Sequence, residues 1–113
     1  MTKVVFTKRA DGLLVGFEAS GHAGYAEYGS DIVCAAISAL TQSTLIGITE
    51  VVGAKVRHKV NEETGYLSVG LEESDDFKSI QKSQILLETL KMTLTEISKD
   101  YPGTIRIIIR ERR

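Results

Sequence analysis

The 113-residue sequence predicts an α+β fold: a single layered domain spanning 1–113, of order ββαββαβ, with two helices packed on a mixed, mostly antiparallel five-stranded sheet. Three observations carry this reading. Segments 31–53 and 76–100 carry apolar residues at steps of three and four, the helical period. Five shorter segments are rich in Val, Ile, Phe and Leu, the residues that suit a pleated surface. Turn-forming pieces such as Asp11-Gly12 and Pro102-Gly103 punctuate the chain, and no linker or internal repeat is visible.

The elements follow in order. Residues 3–8 (KVVFTK) and 13–20 (LLVGFEAS) form a hairpin across Asp11-Gly12. Gly16, inside the second strand, predicts a bulge or a close approach by another element. Residues 21–30 (GHAGYAEYGS) have neither period and read as a glycine-rich surface loop. The helix over 31–53 presents Val33, Ile37, Leu40, Thr44, Ile48 and Val51 as a buried stripe, with Ser30 or Asp31 as its cap and Gly53 as its stop. Its other faces carry small residues, Ala35, Ala36, Ser38, Ala39, Ser43 and Gly47, suited to close packing on the sheet or on a second chain. Residues 54–60 and 66–71 form a second hairpin around the turn Asn61 to Gly65, with Val56, His58 and Val60 on its sheet-facing side. The acidic run Glu72, Glu73, Asp75 and Asp76 suits the positive end of the second helix, whose stripe is Ile80, Leu87, Leu90, Leu94 and Ile97. Residues 104–110 (TIRIIIR) are the last strand, at an edge or inside the sheet.

Composition excludes whole classes of function. A chain this long buries roughly two-thirds of its unfolded surface, enough to fold without a disulfide or metal. One cysteine makes neither an internal disulfide nor a cysteine-rich zinc site. The formal net charge of -1 is not that of a general nucleic-acid binder. No apolar run reaches the ~18–20 residues of a membrane helix, and the N-terminus lacks a secretory pattern. The expectation is a cytoplasmic protein without membrane contact.

The residues suited to chemistry are His22 and Cys34. Cys34 falls in the first turn of the long helix, where free N–H groups and the helix dipole favour an anionic sulfur. His22 ends the second strand, and the loop between can fold it back beside that helix start. The two then form a Cys–His nucleophile pair, with helix-start amides as an oxyanion hole. A buried, inert cysteine is the plainer alternative. Asp31, three residues before Cys34, either orients His22 or caps the helix. Ser38, one turn after Cys34, either bonds to substrate or thiol, or back to a helix carbonyl. Gly21 supplies a special backbone angle or a hinge. Tyr25 and Tyr28 either wall a substrate pocket or anchor the loop. A zinc site from Cys34, His22, His58 and a carboxylate matches no metal spacing, and a Cys–His mechanism needs neither metal nor organic cofactor.

The stretch SGHAGYAEYGSDIVCAAIS, residues 20–38, resembles the ribosomal-processing cysteine protease family Prp, with Gly21-His22 joined to Cys34-Ala35-Ala36 by a loop of the family's length. The resemblance covers the whole chain. It implies a cysteine endopeptidase with Cys34 as nucleophile and His22 as base, supported by Asp31 and Ser38. It also implies the substrate, the N-terminal extension of a large-subunit ribosomal protein cut at a hydrophobic, Phe-Phe-type motif, and a homodimer whose glycine-rich loop moves. No direct contact with nucleic acid is required. The alternative is a non-enzymatic ribosome-associated module that uses the C-terminal arginines Arg106, Arg110, Arg112 and Arg113.

Overall fold

The computed structural model describes residues 1–27, 29–72 and 76–112. Its elements are β1 (Thr2–Lys8), β2 (Leu14–Ser20), α1 (Ile32–Ile46), β3 (Val56–Asn61), β4 (Tyr66–Leu71), α2 (Phe77–Asp100) and β5 (Ile105–Glu111), the expected order. The sheet runs β3-β4-β2-β1-β5. This order puts β3 at one edge and β5 at the other, and among the described residues the β1–β5 pair is parallel while the other pairs are antiparallel.

Alternation along the strands builds the core. Val4 stands opposite Ala19 and Ile107, and Phe6 opposite Phe17. Phe17 in turn faces Val69, and Ala19 faces Leu67. These side chains share one face, and both helices bury it with Val33, Ile37, Ile48, Ile80, Leu87, Leu90 and Leu94. Leu87 and Leu94 are fully buried, each contributing about 2 kcal/mol of apolar burial. The Phe6 and Phe17 rings lie 6.2 Å apart at a tilt.

The first hairpin contains the irregularity that Gly16 predicts. Thr7 pairs with Gly16 and Lys8 with Leu14, leaving Val15 as the extra residue of a bulge. The Gln84 side chain of α2 steps into this interruption. Its amide accepts from Leu14 N–H and donates to Leu14 C=O, both at 2.7 Å, acting as a strand partner supplied by a helix.

The long helix departs from its expectation in two ways. After Ile46 it widens into a π-helical segment, Gly47–Val52, stopped by left-handed Gly53 (φ 80°). Gly47 sits where α2 crosses, since a Cβ there would stand 2.9 Å from a Leu86 methyl carbon. The widened turn rotates the end of the stripe, so Val51 is 82% exposed rather than buried. The span Ile32–Val52 is also long and apolar enough, by length and composition, to cross a membrane. No continuous run revealed this, because Thr, Ser and Gln interrupt the apolar residues. The helix instead packs one face into the core, and buried Thr41 and Thr44 return their hydroxyls to helix carbonyls at 2.8 Å. The second hairpin corrects His58 and Val60. Both are exposed, because β3 is an edge strand and its helix-side face overhangs the end of the core. Asp76 caps α2 through Ser79 N–H at 2.7 Å, while Glu73 and Asp75 lie outside the described residues.

Two glycines facing each other across β2 and β4 differ in their surroundings. A Cβ on Gly16 would stand 2.5 Å from the Val69 carbonyl oxygen, whereas one on Gly70 would meet nothing within 4 Å. Gly16→Ala should therefore cost about 2 kcal/mol by overpacking against rigid backbone. Gly70→Ala should leave stability within about 0.5 kcal/mol of wild type. Chemical denaturation of the two variants checks the contrast.

Candidate active site

The strand end, the loop and the helix start meet at Asp31. It is the N-cap of α1, buried, and its carboxylate accepts four backbone N–H groups. One oxygen takes Val33 and Cys34 at 2.9 and 3.0 Å. The other takes Tyr25 and Ala26 from the glycine-rich loop at 2.8 and 3.1 Å. Of the two roles read from the sequence, the geometry displays capping, extended to the loop. Burial pushes the Asp31 pKa up, but the backbone N–H bonds outweigh it and hold the carboxyl below its ordinary value.

Fixing the loop fixes the sulfur. Cys34 is half-buried in the first turn of α1, and the N–H of Ala23, the residue after His22, points at Sγ from 3.1 Å. No sequence pattern points to Ala23, because its contribution is a backbone amide. The proposed oxyanion hole needs correction. Val33 and Cys34 N–H are held by the Asp31 carboxylate and Ala35 N–H by the Asp31 carbonyl at 3.1 Å, so these helix-start amides are engaged.

Gly21 ends β2 with φ 87°, a conformation only glycine adopts freely, and a Cβ there would stand 3.0 Å from the Met1 carbonyl oxygen. This turn directs exposed His22 toward the β3–β4 hairpin. The imidazole passes Gly65, where a Cβ would come within 3.2 Å of Cε1. Gly65 thus makes room for the ring, a role its place in a turn did not advertise.

His22 and Cys34 line one cleft of about 560 Å3 between α1 and the β3–β4 hairpin. Ile37, Leu45, Val60 and Leu67 make much of its wall apolar. Ser38 lines it too, and its hydroxyl accepts from Gln42 Nε2 at 2.9 Å. His58 stands on the hairpin side. Tyr25 lies outside this lining and packs edge-on against Tyr101, ring centroids 5.2 Å apart, as a loop anchor does. Tyr28 lies outside the described residues. Among the described residues no cluster of three His, Cys, Asp or Glu side chains could hold a metal ion.

The Asp31 arrangement has a pH signature. Its pKa is lower folded than its ordinary 3.8, so its stabilisation is full above that value and lost as pH falls through the folded pKa. Asp31→Asn should be less stable at neutral pH, because its amide N–H2 meets two loop N–H donors. Its melting temperature should also fall less than wild type's between about pH 5 and pH 2. Parallel melting-temperature profiles for the two proteins would contradict this.

Comparison with known proteins agrees with the geometry. A family model described as cysteine protease Prp matches residues 1–106. The ribosomal processing cysteine protease Prp of Bacillus subtilis is 30% identical over 107 residues, covering 95% of this chain and 96% of that protein. Among solved structures, SMU.848 of Streptococcus mutans has a TM-score of 0.83 at 31% identity, covering 99% of this chain and 96% of that one. The Staphylococcus aureus Prp, solved with a covalently linked product peptide, shares the fold with a TM-score of 0.86 at 24% identity, over 97% of this chain and 100% of that one. The chain belongs to the ribosomal-processing cysteine protease family Prp.

Proposed function

We propose that this protease removes a short N-terminal extension from a large-subunit ribosomal protein in the cytoplasm, cutting at a hydrophobic, Phe-Phe-type motif. The observation that carries the reading is that Cys34 and His22 line one mostly apolar cleft, with a backbone N–H already aimed at the sulfur. Its apolar wall suits aromatic side chains of an extended peptide. The related Staphylococcus aureus enzyme, solved with a substrate peptide, supports a peptide ligand.

In the proposed reaction His22 takes the proton from the Cys34 thiol, and the sulfur attacks the scissile carbonyl carbon. The C–N bond then breaks, His22 returns the proton to the leaving amine, and an acyl-enzyme thioester remains. Water, deprotonated by His22, hydrolyses the thioester and restores the thiol. Gly21 positions His22. Asp31 acts through the loop, and Ser38 borders the bound peptide.

A peptide bearing the extension should be cut by wild type and left intact by Cys34→Ala, with a fall of at least about 1,000-fold. His22→Ala should lose a comparable factor while still binding the peptide. Mass spectrometry of the products checks both, and wild-type cleavage by Cys34→Ala would end the proposal.

We further propose that the enzyme works as a homodimer joined through the outer face of α1. Ile32 is more than half exposed there, in line with small, exposed Ala35 and Ala39, and Ile46 ends the row where the face meets the rim of the cleft. Ala39 lies outside the cleft lining, so Ala39→Arg should yield a monomer with its fold intact. Sedimentation of both proteins checks this, and a wild-type monomer at micromolar concentration would contradict it.

A further inference from the structure

The sheet has two faces, and the helices cover one. Alternation sends Lys3, Arg57, Lys59, Arg106 and Arg110 to the other face, where all five are exposed. They come from β1, β3 and β5, so they span the sheet from edge to edge. The chain's net charge of -1 hides this segregation. Lys and Arg number six in the five strands (these five and Lys8), against two carboxylates, Glu18 and Glu111.

The register sharpens the pattern. Lys3 stands directly opposite Arg106. Arg57 and Lys59, two residues apart, share this face. Like charges so placed repel and destabilise a sheet, a cost that a bound polyanion removes. Between the cationic edges Gly16 and Gly70 pair without side chains, leaving a shallow trough of about 190 Å3 bordered by Arg57 and Arg110. Opposing carboxylates are few. Glu18 is engaged by the Tyr66 hydroxyl at 3.3 Å, and Glu72 pairs with Arg57 at 3.4 Å. Among the described residues Lys3, Lys59, Arg106 and Arg110 form no ion pair.

We propose that this open face docks RNA through its phosphate backbone. Arginine forks match phosphate geometry, and a flat array of cations on three strands reaches several phosphates at once. A lipid surface fits less well, because on this face Val5 is only 5% exposed and Ile108 is half-buried, so among the described residues no large apolar side chain there stands ready to insert. The face carries no aromatic stacking row, so the binding reads the backbone, not the sequence. The cleft lies on the helix side, so peptide and RNA can be held together.

The test is fluorescence anisotropy of a short labelled RNA hairpin with the full chain. Wild type should bind at about 50 mM salt and lose about 100-fold in affinity by about 200 mM, the mark of several phosphate contacts. Arg106→Glu with Arg110→Glu should bind at least about ten-fold more weakly yet keep its peptide cleavage. Arg106→Gln with Arg110→Gln, milder for the fold, should show a smaller loss in the same direction. Unchanged RNA binding by both double variants, or no wild-type binding at the lower salt, would overturn the proposal. So would tighter binding to phosphatidylglycerol vesicles than to the hairpin.

Discussion

The Asp31 carboxylate is the constraint from which the site follows. A helix start leaves N–H groups without helical partners, and a glycine-rich loop has little of its own to hold it. Asp31 meets both needs with one side chain, two N–H groups from α1 on one oxygen and two from the loop on the other. Because the loop begins at His22, tying down Tyr25 and Ala26 leaves two residues between the anchor and the histidine. Ala23 then lies against the sulfur, and the pair is brought to one cleft.

The same bond network limits the chemistry. A bare carboxylate beside the thiol would oppose its ionisation. Here the Asp31 carboxylate accepts four backbone N–H groups, which solvate its charge where it stands. In exchange, the helix-start amides are spent on Asp31. A donor for the oxyanion of the tetrahedral intermediate has to come from another group. Loop position governs both the histidine and the Ala23 N–H that meets the sulfur.

Element order and most boundaries were legible because each rests on local pattern: period and turn residues. His22 and Cys34, which line one cleft, were singled out by the family resemblance, since loop length and helix start alone left an inert cysteine open. Val51 was misread because a π-helical turn alters the period that the stripe assumes. His58 was misread because alternation assigns a face but not whether anything covers it, and strand order decides that. Ala23 and Gly65 escaped for another reason. One offers a backbone N–H and the other offers space, and neither has a side-chain signature. Gln84 escaped because its partner is 70 residues away.

Charge shows the same limit from another side. The near-neutral total is not that of a general nucleic-acid binder, and the C-terminal arginines read as one local cluster at the end of the chain. Folding changes both inferences. Parallel pairing of β5 with β1 lays Arg106 beside Lys3, and the crossover that places β3 at the far edge sets Arg57 and Lys59 on the same face. The acidic residues meanwhile collect mostly in turns, loops and α2. A sum over the sequence cancels what the topology separates. A two-layer fold has one sheet face to bury and one to expose. Here the buried face supports the cleft, and the exposed face is where charge can gather without disturbing it.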